Sequence, residues 1–453
     1  MTGKRAVCVL SVVFFMLLAV LPLFGGAKKE AEAGVTTIRV WTDNAHEKVL
    51  RDAQVARFNA GRGKELGINI ENNVYGTNFS DAILIALQAG EAPELFRQDG
   101  KTFTDFVNAG LAVPLAELPG GQALVDQYKG ELIPNLHTWD GKAYTLPYSV
   151  TTYKFIINKD LFDAAGITRM PKTWDEVREC AKTLTAKGSG QSFGFVLGLK
   201  SPWTITSYYL FPSGTNTGIG VFDNDKLQYN FSAHTPMVSA ILGMINDGSV
   251  FPGYENLDAD QMRAQFAAGR VGMIPGVSFD VAVYKDQFPA NFNWQVIDVP
   301  AFTSAGSSYK EIVQATNLLA VSTTARKNPE KSMEVFKFFY SDENMAEMYE
   351  EGIYIPYRSQ AVALAKKQPT AKGFAEFANV PQKLLLLPSP DSEVSVEGLV
   401  YREVYLRLFA NGYNEPAAAV LKELEDRYNN ALKKLSAEKL NSFKASSDRV
   451  IKR

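Results

Sequence analysis

Strand-like and helix-like patterns of apolar residues alternate along the first part of the chain. The β-branched run Val35–Trp41 predicts a strand, and the apolar spacing that follows predicts a helix to Asn59, ended by Gly61. Ile68–Glu71 alternates with the period of a second strand, and Ser80 is placed to cap a second helix. This alternation of strands and helices is typical of a parallel sheet with helices on its faces.

The clearest helix boundary in the sequence lies at Thr173. Its side chain can accept a hydrogen bond from the backbone N–H of Glu176, which can reach back in the spacing of a capping box. The strand-like run Tyr153–Ile157 precedes this helix, and Gly188 is placed to end it. Its apolar stripe consists of Trp174, Val177, Ala181 and Leu184.

The same patterns continue to about Leu435, which predicts an α/β protein. Asn328 and Pro329 are placed to start a further helix, and the stretch from Val394 to Leu435 is helical in pattern. Other strands are predicted at 92–96, 111–115, 193–199, 294–300 and 318–321.

The N-terminal residues have the pattern of a targeting segment. Lys4 and Arg5 precede an apolar run that ends at Phe24, and Gly25–Ala27 offers small residues at the cleavage positions. We therefore predict a signal peptide at residues 1–27. The run is also close to the ~18 residues that can span a bilayer, so an uncleaved anchor is the alternative. Because no cysteine lies near the predicted cleavage site, a lipid-modified N-terminal cysteine is not expected.

Composition and charge restrict the class of protein. A chain of 453 residues with 46% hydrophobic and 21% charged residues fits two or three globular domains. The formal net charge of −2 provides no field that would attract nucleic acid or an anionic membrane. The two cysteines, Cys8 in the leader and Cys180 on a helix, are too few for a disulfide framework.

Motifs of catalysis and cofactor binding are absent from the sequence. It contains no GxxxxGK[ST], HExxH or GxSxG motif, and no GxGxxG after a strand. His46, His137 and His234 are far apart, so no metal site is expected, and no cofactor is expected either. Counting carboxylates leaves a glycoside-hydrolase pair open, but nothing places two of them together. We expect a protein that is not an enzyme.

Five blocks of sequence occur in an order that resembles one protein family. They include WTDN from Trp41, LQAGEAPELF from Leu87, GK-x-Y-x-LPY from Gly141, NKDLF from Asn158 and PKTWDE from Pro171. Together they resemble the extracellular solute-binding proteins of ABC importers, in the sugar-type, maltose-binding-protein-like group. The resemblance extends from Val35 to about Leu435. The family's usual Asp after the Pro of the second block is Glu94 here.

The resemblance implies a two-lobed, type II periplasmic-binding-protein fold. Each lobe would be a mixed, mostly parallel sheet flanked by helices, with a ligand cleft between the lobes. The implied N-terminal lobe comprises 35–150 and 313–355, and the implied C-terminal lobe comprises 151–312 and 356–453. The chain would cross three times, near Ser149–Thr152, Ile312–Ala315 and Ile353–Tyr357, between lobes that close over a solute. The implied partners are that solute and the transmembrane subunits of an ABC permease, with no nucleic acid. A monomer at the periplasmic or extracellular face of the cytoplasmic membrane is expected.

The candidate ligand-binding residues come partly from the sheet pattern and partly from the resemblance. Ligands collect at the carboxyl ends of parallel strands, which selects the loops after the first and third strands. The aromatic run that begins at Trp203 supplies a ring on which a sugar can stack, followed by small polar side chains. The resemblance implies that Ser278 and Phe279, which follow a predicted strand, lie at the cleft. Residues that flank the crossings are further candidates. The full set is Trp41, Asp43, Asn44, Gln98, Asp99, Tyr148, Thr151, Thr152, Tyr153, Trp203, Ser207, Ser278, Phe279, Tyr354 and Tyr357.

Two kinds of alternative stay open at this point. Trp41 can be a core residue, and Tyr148 and Thr151–Tyr153 can pack in the hinge instead of contacting a solute. The solute itself can be a mono- or oligosaccharide, or a polyol, a glycerol phosphodiester or a polyamine. A phosphate ester needs Arg or helix N-termini, and a polyamine needs several acidic residues. Arg97 leaves a phosphate ester open as the solute, and Asp43 leaves a polyamine open. An anchored sensor subunit or a glycan-acting enzyme is the alternative outside this class.

Overall fold

The computed structural model describes residues 34–76, 78–98, 103–307, 311–379, 383–445 and 450–451. The predicted leader and Asp99 lie outside these residues. The strands are β1 (Thr36–Thr42), β2 (Ile68–Val74), β3 (Leu95–Arg97), β4 (Thr138–Trp139), β5 (Lys142–Ala143), β6 (Ser149–Thr151), β7 (Tyr153–Asn158), β8 (Phe193–Phe195), β9 (Phe222–Asp223), β10 (Gln228–Tyr229), β11 (Val271–Val277), β12 (Trp294–Ile297), β13 (Glu311–Thr316), β14 (Leu319–Val321), β15 (Ile355–Pro356), β16 (Lys383–Leu385) and β17 (Val450–Ile451). The helices are α1 (Lys48–Phe58), α2 (Lys64–Leu66), α3 (Phe79–Ala89), α4 (Phe103–Asn108), α5 (Gly121–Asp126), α6 (Lys159–Ala164), α7 (Trp174–Gly188), α8 (Gly214–Thr217), α9 (Thr235–Asn246), α10 (Ala259–Ala267), α11 (Asp280–Ala282), α12 (Pro329–Phe339), α13 (Asp342–Glu350), α14 (Ser359–Leu364), α15 (Phe374–Ala378), α16 (Tyr401–Phe409), α17 (Ala417–Leu432) and α18 (Ala437–Asn441).

The first lobe is built on the sheet β14–β3–β1–β2. Strand β1 is parallel to both β2 and β3, whereas β14 is antiparallel to β3. Ile38 lies opposite Ile70, and Val40 lies opposite Leu95, and all four side chains are buried. These β-branched and leucine side chains form a core with residues of α12 and α13, which stabilises the lobe by removing apolar surface from water.

The second lobe is built on the sheet β12–β7–β11–β8. Every residue of β7 and β11 is buried, because helices and loops cover both faces of these central strands. Strand β11 is parallel to β8, but β7 is antiparallel to both of its neighbours. The predicted mixed sheets are thus confirmed, but the prediction that each is mostly parallel holds for the first lobe and is wrong for the second.

A further sheet has five strands in the order β15–β6–β13–β16–β17. Three of these strands, β15, β6 and β13, coincide with the segments predicted to cross between lobes. Val150 pairs with Ala315 on one side and with Ile355 on the other, in antiparallel register. The three segments therefore lie side by side and are joined by backbone hydrogen bonds. Together with the two lobe sheets they give a two-lobed α/β fold.

Local signals in the sequence place some helix boundaries correctly and others wrongly. The capping box at Thr173 and Glu176 is confirmed, with both reciprocal hydrogen bonds formed. Gly61 does not end the first helix, which continues through a π turn and α2 to Gly67. Gly63 allows this, because a Cβ there would lie only 2.7 Å from the carbonyl oxygen of Ile68.

Three further predictions about elements need correction. Ser80 is not the cap of α3, because the helix begins at Phe79 with Asn78 in the capping position. Within the described residues, 111–115 holds only an isolated bridge between Ala112 and Ser322 rather than a strand. The predicted strand at 193–199 is only three residues long, Phe193–Phe195.

Candidate functional site

The loops after β1 and β3 meet at the carboxyl edge of the first sheet, as their positions in the sequence predict. Arg97 Nε lies 2.7 Å from Asp43 Oδ1, and it also donates to Asn44 Oδ1 at 3.3 Å. Gln98 is buried, and its backbone N–H donates to the Leu318 carbonyl at 2.7 Å. Its side-chain Nε2 has no hydrogen-bond partner within the described residues. This edge therefore presents a paired charge together with amide groups.

An aromatic pair stands beside these polar groups. The half-buried Trp41 lies at the end of β1, and its ring centre is 4.6 Å from that of Tyr75. Both rings also pack against a small core cluster around Phe79. Trp41 is thus partly a core residue and partly available, and its role as a ligand contact stays a prediction.

The wall contributed by the second lobe is aromatic and centred on Arg263. Trp203 is 38% exposed, and its ring lies 5.6 Å from that of Tyr208. The guanidinium carbon of Arg263 lies 5.5 Å from the ring centres of both Trp203 and Phe279. Ser207 is half-buried on the π-helical segment that also carries Tyr208. Sequence reasoning selected Trp203, Ser207 and Phe279 but missed the cation between the two outer rings.

Arg263 is held by a buried network of polar groups. Its Nε donates to Asp280 Oδ1 at 2.9 Å and to the Tyr208 hydroxyl at 3.0 Å, and its Nη1 donates to Asp260 Oδ1 at 2.8 Å. Asp280 also accepts from the backbone N–H of Val277. Burial raises the pKa of Asp280, although the neighbouring charge of Arg263 acts in the opposite direction. Nη2 of Arg263 is buried without a hydrogen-bond partner among the described residues.

His46 joins the two walls, and it was not among the predicted site residues. It follows β1 in the first lobe, yet its ring stacks on Phe279 of the second lobe at 5.0 Å and 21°. Tyr354 meets the same ring edge-on at 5.4 Å. Burial and the charges of Arg263 and Arg97 lower the pKa of His46 to about 3, so the imidazole is neutral at pH 7. Its position after the WTDN block was the one available sequence signal.

The hydroxyl groups selected at the first crossing are engaged by the protein itself. Thr151 Oγ1 lies 2.9 Å from Thr316 Oγ1, and the hydroxyl of Tyr153 donates to Gln314 Oε1 at 2.9 Å. Burial raises the pKa of Tyr153. Both partners lie on β13, so these contacts tie β6 and β7 to β13. They support hinge packing, and a solute contact by either residue stays a prediction.

Thr152 and Ser278 form a second set of contacts beside the crossing. Thr152 Oγ1 donates to the Phe377 carbonyl at 2.8 Å, and its N–H donates to Ser278 Oγ at 3.3 Å. Gly276, on the same strand as Val277, packs so closely that a Cβ would lie 2.8 Å from Ile156. This glycine therefore serves sheet packing.

The tyrosines beside the first and third crossings are also largely enclosed. Tyr148 accepts a hydrogen bond from Arg51, and its carbonyl accepts from the Tyr357 backbone N–H at 3.0 Å. Tyr354 is buried, but its hydroxyl has no partner among the described residues. Burial raises the pKa of Tyr148 and of Tyr357 to about 12. Of these tyrosines, only Tyr354 combines a ring at the interlobe contact with an unpartnered hydroxyl.

The described residues contain neither a metal-binding cluster nor a helix that could span a membrane. No group of three or more His, Cys, Asp or Glu in that part of the chain could hold a metal ion. No helix within the described ranges is both long enough and apolar enough to cross a membrane. Cys180 is a free, half-buried thiol whose pKa is raised to about 11 by burial.

The fold and the cleft define a two-lobed receptor for a small solute. The sequence profile of the bacterial extracellular solute-binding proteins matches residues 44–346, and the chain belongs to this family. The chain is 25% identical over 355 residues to a binding protein of Brucella abortus (strain 2308), covering 77% of this chain and 82% of that one. It is also 25% identical over 301 residues to the sn-glycerol-3-phosphate-binding periplasmic protein of Rhizobium meliloti (strain 1021), covering 63% and 67%.

Solved structures support the same fold. The GacH receptor of Streptomyces glaucescens, determined unliganded and with acarbose, superposes with a TM-score of 0.68 at 18% identity. The match covers 89% of this chain and 100% of that one. At this identity the likeness concerns the fold alone.

Proposed function

We propose that this chain captures a mono- or oligosaccharide between its lobes and delivers it to an ABC permease. The lobes are 35–150 with 313–355 and 151–312 with 356–453, and β6, β13 and β15 act as the hinge. The backbone pairing of these strands supports one shared hinge rather than three independent linkers. Closure is favoured to the extent that the solute binds the closed state better than the open one.

The exposed aromatic face of Trp203 carries the carbohydrate proposal. A sugar ring presents a C–H face that packs on an aromatic ring, while its hydroxyls need polar partners. Trp203 offers such a face next to Ser207, and Asn44 and Gln98 offer amide groups on the opposite wall. The GacH receptor is a related case, because it has the same fold and binds acarbose, a saccharide-like ligand.

The pairing of charges at the cleft supports a neutral solute. Arg97 is matched to Asp43, and Arg263 is matched to both Asp280 and Asp260. An anionic solute would have to compete with these carboxylates for the guanidinium groups, and a polyamine would have to compete with the arginines. A neutral polyol or sugar can hydrogen-bond to the paired groups without breaking them.

The second candidate is a phosphate ester of glycerol. Two observations favour it: Nη2 of Arg263 lacks a hydrogen-bond partner among the described residues, and one relative is a glycerol-3-phosphate-binding protein. A phosphate would then bind to Arg263 and displace the Asp260 contact, which is the more exposed of its two ion pairs.

A thermal-shift screen of the exported, purified chain separates these proposals. The panel contains maltotriose, raffinose, xylotriose, glycerol, sn-glycerol 3-phosphate and spermidine. A specific ligand at 100 times its Kd stabilises by about 2.7 kcal/mol, so a binding saccharide should raise Tm while spermidine should not. A shift with sn-glycerol 3-phosphate and none with any saccharide would replace the carbohydrate proposal with the second candidate.

The leader at 1–27 is removed on export to the periplasmic or extracellular face of the membrane, where the mature protein acts as a monomer. The solute is released chemically unchanged. Mass spectrometry of the saccharide after prolonged incubation with the pure protein tests this last point, and any steady hydrolysis would contradict it.

A further inference from the structure

His46 forms a direct side-chain contact between the lobes. Its ring lies flat on Phe279, which follows the last residue of β11 by two positions, and Tyr354 closes its edge from the first lobe. The segment Ala45–Glu47 that carries His46 also packs against the π-helical segment Val283–Gln287 of the second lobe. His46 as a whole is half-buried, but its Nε2 is buried at this contact and has no hydrogen-bond partner among the described residues.

The surroundings of this ring are positively charged and aromatic. Arg97 and Arg263 both act on His46 through their charges, and both have carboxylate partners of their own. No carboxylate is among the groups that act on the imidazole, so nothing there compensates a positive charge on it. The other titratable and charged groups on its own segment and on the elements packed around it are Asp43, Glu47, Tyr354, Tyr208, Asp280, Tyr284, Lys285 and Asp286. Of these, Glu47 is engaged by Arg51 and Lys285 by Glu351.

We propose that His46 is a positioning residue for solute capture: its neutral ring, docked on Phe279, helps to hold the lobes closed, and its protonation releases them. This inference rests on the proposed lobe closure but not on the identity of the solute. Protonation places a positive charge on the ring that docks on Phe279, beside Arg97 and Arg263. Its buried Nε2 gains water as a partner when the lobes separate.

The direction of the pH effect follows from proton linkage. The closed state holds the pKa of His46 at about 3, whereas a water-exposed imidazole titrates near about 6.5. The closed state therefore binds fewer protons than the open state. The equilibrium constant for closure thus has its full value above about pH 6.5 and decreases as the pH falls. Between pH 7.5 and 5.5 the closure constant should fall about tenfold.

The test uses protons alone as the probe and no solute. Histidine labelled with ¹³C at Cε1 is followed by NMR from pH 8 to 5.5, while solution scattering gives the radius of gyration at each pH. The sequence has only three histidines, so the variant His46→Gln identifies the signal. We expect the titration midpoint of His46 to lie at least one pH unit below that of an exposed imidazole. We also expect the radius of gyration to rise as the pH falls.

Two variants keep the test decisive. Phe279→Leu removes the aromatic platform from a half-buried position and should return the His46 midpoint to about 6.5. His46→Gln stays neutral and should show a radius of gyration that does not change over this pH range. The proposal is overturned if wild type and Phe279→Leu titrate alike, or if His46→Gln expands with acid as wild type does. Neither outcome depends on the identity of the solute. The thermal-shift screen tests that identity separately.

Discussion

The guanidinium of Arg263 lies against the ring of Trp203, with its carbon 5.5 Å from the ring centre. The two side chains differ sharply in exposure, because Trp203 is 38% exposed whereas Arg263 is buried. Arg263 is held in place by its hydrogen bond to Asp280 within the lobe. One face of the Trp203 indole therefore lies against a cation whose position is fixed. A cation–π contact of this kind is worth about 0.5–2 kcal/mol and orients the ring before any solute arrives.

Replacing Trp203 by alanine should weaken saccharide binding without unfolding the protein. Removing a central aromatic anchor costs about 2 kcal/mol or more, which corresponds to about a thirtyfold rise in Kd. Calorimetry with the saccharide that gives the thermal shift measures this change. The matched control is Leu364→Ala, since Leu364 is also a well-exposed apolar residue but lies on α14, away from this wall. Unchanged affinity in the Trp203 variant would reject the stacking role.

Removing Asp280 should destabilise the second lobe far more than removing Asp260. Both carboxylates pair with Arg263, but the side chain of Asp280 is 0% exposed and that of Asp260 is 51% exposed. Asp280→Ala leaves a buried guanidinium without its main partner, which typically costs about 3–5 kcal/mol. Asp260→Ala removes an exposed pair worth about 0–1 kcal/mol. Urea denaturation compares the two, and equal losses would show that Arg263 does not depend on Asp280.

The parts of the fold set by neighbouring residues could be predicted from the sequence. The Thr173 capping box is such a case, because donor and acceptor lie three residues apart. The meeting of Asp43 with Arg97 also follows from a general rule, since the carboxyl ends of parallel strands share one edge of a sheet. The direction of β7 relative to β11 and β12 has no comparable local signal, and the second sheet was accordingly predicted wrongly.

The side-chain partners across the site could not be predicted in the same way. Thr151 and Thr316 are 165 positions apart, and no pattern around either residue indicates the other. Arg263 lies on α10 between the buried Met262 and Phe266, so a cation on an apolar stripe was the one visible signal. His46 was missed because its stacking partner, Phe279, belongs to the other lobe and lies far from it along the chain.

The hydroxyl of Tyr153 provides a test of hinge packing against solute contact. It donates to Gln314 on the neighbouring crossing strand at 2.9 Å. Tyr153→Phe removes this hydrogen bond and leaves an unpaired acceptor, so we expect the free energy of unfolding to fall by about 1–2 kcal/mol. If the residue serves the hinge alone, the saccharide Kd should stay within about twofold. A tenfold loss of affinity with unchanged stability would instead make Tyr153 a ligand contact.

Acid should destabilise the fold through two histidines that lie within the lobes. Burial lowers the pKa of His137 to about 3 and that of His234 to about 4, while both titrate near about 6.5 in the unfolded chain. The unfolded state therefore binds more protons, and the stabilising contribution of each neutral ring is complete above about pH 6.5 and lost as the pH falls. Each should lower the free energy of unfolding by about 1.4 kcal/mol between pH 7.5 and 5.5.

Urea denaturation at these two pH values measures the loss, and single variants assign it. His137 Nδ1 accepts from the Ile133 N–H at 2.9 Å, and His234 Nδ1 lies 3.0 Å from the Tyr405 hydroxyl. Glutamine can replace either nitrogen as an acceptor but does not titrate. His137→Gln and His234→Gln should each remove about half of the pH dependence that these two residues cause. A pH dependence that survives both substitutions together would show that these buried rings are not its source.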